Sequence, residues 1–530
     1  MDNNSVDIEP KMQTSAPNPA SDSPTIPSYT PSDIERLGRE RPPAFRSLTH
    51  ELGFCFALLG SMFVAEYMIS GFNILLPPLS LSLSIPSNAI TWPSSVFSLI
   101  TGAFLLPLGR LADMFGGYLV FNLGLAWFLV WSIIAGFSQN YTMLIVCRAL
   151  QGFGPAAFLP SGIMLLGSIY RPGPRKNLVF SLYGAFAPVG FFTGIFFAGV
   201  TAQFMTWRWW FFIGSIILGI VALASYFSIP KQGQEAEEKS EERISMDWWG
   251  TATVVPGLVL VVFALTDGSH APNGWATPYI PVTFVLGIIS LAAFVYIEGW
   301  VAAQPLLPSS MFKVKGMEPL ALALFFQYGT FGIFIFYASF YIEDVVGASP
   351  LLTAAWFTPM CVGGLILATV GGLVLHLLPG RILLLISGTA YILCVLLFAI
   401  LPQHFSYWAY IFPAMICSTL GIDITYNVST IFITTSLPKA QQGLAGSFMN
   451  SLLFLGIAVA LSLADLAVSE TEERGKRKSY QVAFWMATAL AGAGLIIMFL
   501  GVKIGKAKSE LTVDEREELE RELVRRRTEE

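Results

Sequence analysis

From Leu52 to Leu79 the chain reads LGFCFALLGSMFVAEYMISGFNILLPPL, in which Glu66 is the one charged residue. A helix needs about 20 mostly apolar residues to cross the hydrocarbon of a bilayer while it satisfies its own backbone hydrogen bonds. The stretch is longer than that, and runs of the same kind recur as far as residue 502. It therefore predicts a membrane-spanning helix in a membrane protein.

The composition of the whole chain supports this interpretation. Its 530 residues are 54% hydrophobic and 12% charged, which is outside the range of soluble domains. The chain has 30 Lys and Arg against 35 Asp and Glu, a net charge of -5, so it lacks the basic surplus that nucleic-acid binding requires. The five cysteines lie in apolar runs without a CxxC pair, which indicates neither disulfides nor a zinc site. We expect no metal and no bound cofactor.

Apolar runs of spanning length occur fourteen times. We expect an all-α polytopic fold whose spans 1 to 14 cover approximately residues 52–79, 88–108, 118–137, 141–168, 178–203, 209–229, 249–266, 278–298, 317–342, 350–377, 381–401, 406–436, 440–468 and 479–502. An even number of spans puts both termini on one side of the membrane. Lys and Arg are concentrated in the connections on that side, so we expect cytoplasmic termini. The outer-loop cluster Arg474, Lys476, Arg477 and Lys478 departs from this rule.

The chain divides near its centre. We expect an N-terminal six-helix half over residues 51–230, an acidic linker with an inserted helix pair over 231–316, and a C-terminal six-helix half over 317–502. Residues 1–50 are rich in Pro, Ser, Asn and Asp and predict a disordered cytoplasmic tail. Residues 503–530 predict a charged cytoplasmic tail. The turns at 109–117 and 372–380 both have glycine at each end and a polar residue at the fifth place, which indicates duplicated halves of the kind found in secondary transporters.

Three motifs have a physical interpretation in a membrane protein. In GRLADMFG, residues 109–116, the glycines Gly109 and Gly116 permit a tight turn after Arg110, and Asp113 can cap a helix N-terminus and so latch two helices on the cytoplasmic side. In RALQGFG, residues 148–154, Arg148 lies inside span 4, where an arginine persists only against a polar cavity or a partner. Span 5 carries residues that allow close packing and a bend, namely Gly184, Pro188, Gly190 and Gly194.

These motifs resemble signatures of the major facilitator superfamily, in particular its fourteen-span drug:proton antiporter branch and the fungal aminotriazole-resistance-like transporters. GRLADMFG is similar to the loop signature G-x-L-a-D-r-x-G, RALQGFG to R-x-x-Q-G-x-G, and the span 5 residues to the antiporter signature. The resemblance covers roughly residues 50–500. It implies two six-helix halves plus an inserted pair, with a central cavity lined by spans 1, 4, 9 and 12.

Three ionisable residues lie deep in those cavity-lining spans: Glu66 in span 1, Arg148 in span 4 and Asp423 in span 12. A charge at that depth costs several kcal/mol unless it is solvated, paired or protonated, so each is a candidate for proton coupling. Glu66 or Asp423 could take up a proton on one side and release it on the other, and Arg148 beside them would favour release. Structural hydrogen bonding for the carboxylates, and packing or latching for Arg148, remain the alternatives.

Further residues are candidates for the wall of a substrate cavity because they share a helical face with these groups or lie in the aromatic-rich span 9. They are Ser70, Asn73, Gln151, Gln327, Tyr328, Tyr426 and Asn427. The aromatic residues of span 9 are also consistent with lipid contact and packing. Asp267, Glu298 and Asp465 lie near the ends of their spans, where we expect them to be solvated.

The motifs that are missing exclude two classes of protein. The chain has no G-x-x-x-x-G-K-[ST] for ATP hydrolysis and neither H-E-x-x-H nor G-x-S-x-G for hydrolytic chemistry, so we expect neither a primary pump nor an enzyme. We expect a monomeric, proton-coupled efflux transporter of drugs, toxins or secondary metabolites, in the plasma membrane or the vacuolar membrane. A proton-driven importer, or a carrier of a small nutrient or inorganic solute such as ammonium or borate, remains the alternative.

Overall fold

The computed structural model describes residues 41–86, 89–170, 174–230, 245–268, 271–374, 378–437 and 442–505. In this part of the chain, 14 helices are long and apolar enough to cross a membrane, and no strand occurs. The predicted fourteen-span, all-α fold is therefore confirmed. Most of both predicted tails and of the acidic linker, and His376 in the second glycine-bounded turn, lie outside the described residues.

The spanning helices follow the predicted runs closely. They are α1 Leu48–Ser82, α2 Trp92–Phe115, α3 Gly117–Gly136, α4 Tyr141–Ile169, α5 Pro174–Phe204, α6 Arg208–Ser228, α7 Trp248–Asp267, α8 Tyr279–Tyr296, α9 Met317–Phe340, α10 Pro350–Val374, α11 Gly380–Ala399, α12 Ile411–Thr435, α13 Gln442–Ser469 and α14 Lys476–Gly501. The π-helical turns Ile297–Val301 and Tyr341–Val345 extend α8 and α9. We call the end of the bundle where α1 begins and α14 ends the terminal face, and the other end the opposite face.

The N-terminal half is held together by close packing of α5 on α1. A Cβ on Gly190 would collide with the backbone oxygen of Phe63, and one on Gly194 with that of Tyr67. The two helices therefore approach to within backbone contact at these glycines, as small residues allow between membrane helices. Around this pair, α2 packs on α4, and α3 packs on both α4 and α6.

The two halves meet along two seams, α2 against α13 and α5 against α10. In the first seam a Cβ on Gly102 would lie 2.8 Å from the side chain of Leu455. In the second, a Cβ on Gly364 would lie 2.9 Å from Pro188. Helices α1 and α9 also touch across the interface, so a central region lies between the seams and is bounded by both halves.

The inserted pair α7 and α8 lies outside the α2–α13 seam. The two helices pack on each other through Gly257 and Gly287, each of which leaves no room for a side chain. Val262 of α7 packs between α2 and α13, and the Thr266 Oγ1 and Ser462 Oγ atoms are 2.6 Å apart. The pair therefore bridges the two halves at the rim of the bundle, and α8 is the least buried of the fourteen helices.

Candidate functional site

Two carboxylates, one from each half, meet at the centre of the bundle. Glu66 lies halfway along α1 and Asp423 halfway along α12, and each is half-buried. They are close enough to interact electrostatically. The Asp423 Oδ2 atom lies 3.1 Å from the position of a Cβ on Gly364, where α10 touches α5. Because like charges repel strongly in a poorly solvated site, a proton or a cation bound here would stabilise the pair.

Tyrosines from four helices surround the two carboxylates. Tyr183 of α5 and Tyr426 of α12 interact electrostatically with Glu66, and Tyr391 of α11 does so with Asp423. Tyr328 of α9 interacts electrostatically with both Tyr391 and Tyr426. Together these six side chains form the site that we call the central acidic site.

Three of the tyrosine hydroxyls are buried without a hydrogen-bond partner among the described residues. They belong to Tyr183, Tyr328 and Tyr391, whose side chains are at most 6% exposed. Buried polar groups in folded proteins nearly always have a partner. Three free hydroxyls beside two carboxylates therefore mark a place where a polar ligand or water can bind.

Of the residues at this site, Glu66, Asp423, Tyr328 and Tyr426 were predicted from the sequence, whereas Tyr183, Tyr391 and Asn450 were not. Asn450 of α13 hydrogen bonds to Tyr426. An asparagine inside an apolar run was a usable signal for Asn450, because an amide needs partners in hydrocarbon. No comparable signal distinguishes Tyr183 or Tyr391 from tyrosines that only fill space in a span.

Two of the predicted cavity residues donate hydrogen bonds to the backbone of the helices that carry the carboxylates. The Ser70 hydroxyl donates to the backbone oxygens of Glu66 and Phe191, at 2.8 Å each, and so ties α1 to α5. The Asn427 amide donates to the backbone oxygen of Asp423 at 2.8 Å. The Ser70 bond to Phe191 therefore fixes α1 against α5, whereas the Asn427 bond stays within α12.

Gln327 faces the interior of the C-terminal half rather than the central acidic site. Its amide nitrogen donates to the backbone oxygen of Ala491 on α14 at 3.2 Å. Its side-chain oxygen is buried and has no partner within the described ranges. A Cβ on Gly494 would lie 2.8 Å from this amide, so Gln327 lies between α9 and α14.

Arg148 lies apart from the carboxylates, nearer the opposite face. Its Nε donates to the backbone oxygen of Pro93 at 3.2 Å, and its Nη1 donates to Met68 O at 3.3 Å and to Gln151 Oε1 at 3.2 Å. The guanidinium lies 4.1 Å from the ring centre of Phe72 and 4.2 Å from that of Phe97. We expected Arg148 to lie beside the two carboxylates. Among the described residues neither carboxylate is its partner, so the structure does not bring Arg148 to the acidic site.

Gln151 and Asn73 extend this polar region. The Gln151 amide nitrogen donates to Ser132 Oγ at 2.9 Å, inside the N-terminal half. The Asn73 Oδ1 accepts a hydrogen bond from Ser94 Oγ at 3.1 Å. The backbone oxygen of Asn73 accepts one from Ser339 Oγ of α9, also at 3.1 Å, so Asn73 lies where the halves meet on the opposite-face side.

The GRLADMFG segment contacts both the other half and the inserted pair. Gly116 has a φ of 85°, which favours glycine, and it forms the whole connection between α2 and α3. A Cβ on Gly109 would collide with Ser447 of α13. The Asp113 Oδ1 atom lies 3.5 Å from the position of a Cβ on Gly443, at the start of α13, where the helix dipole favours a negative charge.

Arg110 holds the inserted pair. Its Nε donates to the backbone oxygen of Ser245 at 3.1 Å, just before α7, and its Nη2 donates to Gln304 Oε1 at 2.8 Å, just after α8. Asp113 of this segment therefore lies beside the start of α13, and Arg110 bonds to the connections that flank the inserted pair.

The predicted packing residues of α5 fall into three environments. Gly190 and Gly194 contact α1, as described above. Pro188 contacts Gly364 of α10 across the interface. The Cβ position of Gly184 has no atom within 4 Å, so this side of α5 faces open space towards the terminal face.

The expectation that the span-end carboxylates are solvated is wrong for Asp465, which is 4% exposed. Glu298 accepts hydrogen bonds from the backbone nitrogens of Leu306 and Leu307 at 3.0 Å each. Asp267 accepts one from the Tyr279 hydroxyl at 2.7 Å.

Within the described ranges, no group of three or more His, Cys, Asp or Glu side chains is placed to hold a metal ion.

Comparisons with known proteins agree with this architecture. A family model described as Major Facilitator Superfamily matches residues 58–461. A low affinity ammonium transporter of Saccharomyces cerevisiae is 35% identical over 417 residues, 78% of this chain and 80% of that protein. An efflux pump of Aspergillus terreus, terJ, is 30% identical over 87% of this chain and 89% of its own length. An aminotriazole resistance protein of Saccharomyces cerevisiae is 29% identical over 92% and 91%.

Proposed function

The chain belongs to the Major Facilitator Superfamily and is a membrane transporter rather than an enzyme, and from this we propose that it exports small organic molecules in exchange for protons. The observation that carries the proposal is the meeting of Glu66 and Asp423 at the middle of the bundle. Each carboxylate belongs to a different half, so a rocking motion of the halves changes the surroundings of both at once.

This placement of the two carboxylates supports the proposal of proton exchange. When the halves part at one face, water reaches the carboxylates and they can ionise; when that face closes, they share a poorly solvated site in which a proton stabilises them. A substrate that occupies the site competes with the proton for the same oxygens. Each 100 mV of membrane potential contributes about 2.3 kcal/mol per charge moved, enough to concentrate a solute on one side.

The chemistry of the site favours neutral or cationic substrates. No described Lys, Arg or His side chain interacts with Glu66 or Asp423. The free hydroxyls of Tyr183, Tyr328 and Tyr391 can donate or accept hydrogen bonds, and their rings offer faces to a cation. An anionic molecule would be repelled by the two carboxylates, and no described cationic side chain at the site would offset that repulsion.

Export is the direction supported by the relatives that are named for efflux and resistance. A second candidate is uptake or exchange of a small cation, because the acidic site with its tyrosine oxygens also suits an ammonium ion and one relative is named for that transport. We also propose cytoplasmic termini, on the basis of the Lys and Arg distribution. We propose a monomer in the plasma membrane, with the vacuolar membrane as the alternative.

The function is tested by expressing the chain in a transporter-deficient yeast strain and measuring growth on aminotriazole, azoles, other toxins and methylammonium. The proposal expects increased tolerance of at least one toxin and lower accumulation of that compound, both lost when the proton gradient is collapsed. Increased sensitivity to a compound, together with its uptake, would reverse the proposed direction. Transport that is unaffected by collapse of the gradient would contradict proton coupling.

A further inference from the structure

A small chamber lies between the halves on the opposite-face side of the central acidic site. Each half contributes six residues to its wall. Its volume is about 30 Å³, room for about two water molecules. Because the two sides of the wall belong to different halves, the chamber must widen when the halves part at the opposite face.

The two sides of the chamber differ in polarity. The N-terminal half contributes Asn73, Ser94, Ser98 and Arg148 together with Ile69 and Phe97. The C-terminal half contributes apolar residues and one glycine, namely Phe331, Gly332, Ile335, Phe336, Ile457 and Leu461. A ligand that fits between them has a polar group on one side and an apolar body on the other.

Arg148 supplies the charge of this chamber and retains an unused donor. Its side chain is 1% exposed, and its Nε and Nη1 atoms make the three hydrogen bonds described above. Its Nη2 group has no hydrogen-bond partner among the described residues. A buried guanidinium with free N–H groups is a strong donor to an anionic or otherwise electron-rich oxygen or nitrogen.

The chamber and the central acidic site lie along the same face of α1. Asn73 follows Glu66 by seven residues, which places both on one face of α1 and about 10 Å apart along its axis. Ile69, between them on that face, also lines the chamber. A molecule that leaves the acidic site towards the opposite face therefore passes Arg148.

We propose that this chamber is a second binding station on the transport path, where Arg148 receives an anionic or hydrogen-bond-accepting group of the transported molecule. The apolar remainder of the molecule lies against the wall from the C-terminal half. This inference rests on the proposed transport function and adds a chemical requirement to it. Molecules that carry both a group for the carboxylates and an acceptor for the guanidinium use both stations.

To measure the charge of the chamber, Ser98 is changed to Cys in a chain that has no other cysteine. In that chain the five native cysteines, Cys55, Cys147, Cys361, Cys394 and Cys417, are changed to Ala. The purified chain in detergent is treated with two methanethiosulfonates, one bearing a sulfonate and the other a trimethylammonium group. We expect the ratio of the sulfonate rate to the trimethylammonium rate, normalised to free cysteine, to be raised about five- to tenfold by the guanidinium.

Arg148 variants and two small ligands identify the source of this preference. Arg148→Gln is expected to return the ratio to that of free cysteine, whereas Arg148→Lys, which keeps the charge, retains most of it. Benzoate, an apolar ring with an anionic group, is expected to slow modification of Ser98→Cys, whereas the matched cation benzylammonium does not. If Arg148→Gln does not fold, the Arg148→Lys variant and the ligand pair still decide the outcome.

A second chain separates failure of this inference from failure of the proposed function. It keeps only Cys361 of α10, which interacts electrostatically with Asp423. This chain is expected to prefer the trimethylammonium reagent and to be protected by benzylammonium. The chamber is disproved if Ser98→Cys shows no preference for the anionic reagent, is not modified, or is protected equally by both ligands. If Cys361 retains its cationic preference in that case, the central acidic site stands without the chamber.

Discussion

Glu66 of the central acidic site and Asn73 of the chamber lie about 10 Å apart along one face of α1. The two regions nevertheless hold their charges in opposite ways. Arg148 is fully buried, with three hydrogen bonds and two aromatic rings around it. Glu66 and Asp423 are half-buried, and three hydroxyls near them lack hydrogen-bond partners in the part of the chain that the structure describes. A charge enclosed by fixed partners stays in one state. A carboxylate in a site where nearby polar groups lack hydrogen-bond partners can gain or lose a proton during a transport cycle.

The largest effect is expected from Glu66→Gln, which keeps the size and hydrogen-bonding capacity of the side chain and removes its proton exchange. Proton-driven transport into proteoliposomes should fall about 100-fold, with the unfolding transition of the protein unchanged. The matched control is Glu318→Gln, at an exposed position near the start of α9, which should transport normally. Normal proton-driven transport by the Glu66 variant would remove Glu66 from the mechanism.

Asp423→Asn is expected to have a smaller effect, because Glu66 remains to carry a proton. We expect a loss of about tenfold in transport of cationic substrates and a smaller loss for neutral ones, measured as kcat/KM across a matched pair of substrates. Equal losses for both would assign Asp423 a structural role. The double variant with Glu66→Gln should be no worse than Glu66→Gln alone if the two carboxylates act as a unit.

Arg148→Met tests the enclosed charge of the chamber, and its main effect should be on the stability of the protein. Hydrogen bonds to charged groups contribute about 1.5–3 kcal/mol each, and the change removes the charged donor to the backbone oxygens of Pro93 and Met68. We expect the free energy of unfolding in mixed micelles to fall by about 3 kcal/mol. Arg148→Lys should lose less. An unchanged free energy of unfolding would mean that the recorded contacts do not stabilise the half.

The smallest effect is expected from Tyr391→Phe, which removes one free hydroxyl from the acidic site. Because that hydroxyl has no described partner, its removal should not reduce stability. The KM for a hydrogen-bonding substrate should rise about two- to fivefold, since a modest hydrogen bond to the substrate is lost. The control is Tyr296→Phe on the exposed side of α8, which should leave KM unchanged. A decrease in stability without a change in KM would contradict a role in binding.

The fold was accessible from the sequence because its signals are local. The length and hydropathy of each run predicted the fourteen helices, and the rarity of charge inside such runs selected Glu66, Asp423 and Arg148. The environment of Arg148 was not accessible, since two of its partners are backbone oxygens on α1 and at the start of α2, which no pattern of side chains reveals. The burial of Asp465 was missed for a related reason: exposure near a helix end depends on which neighbouring elements cover it.

The inserted pair has a practical consequence. It bonds to α2 through Arg110 at the terminal face and to α13 through Thr266 nearer the opposite face, so a rotation of one half against the other must alter its distance to at least one of them. Helix α8 is the least buried of the fourteen helices, so most of its surface is free of contact with the rest of the described chain. A fluorophore attached there would report each cycle of the protein in real time without obstructing the molecules that it carries.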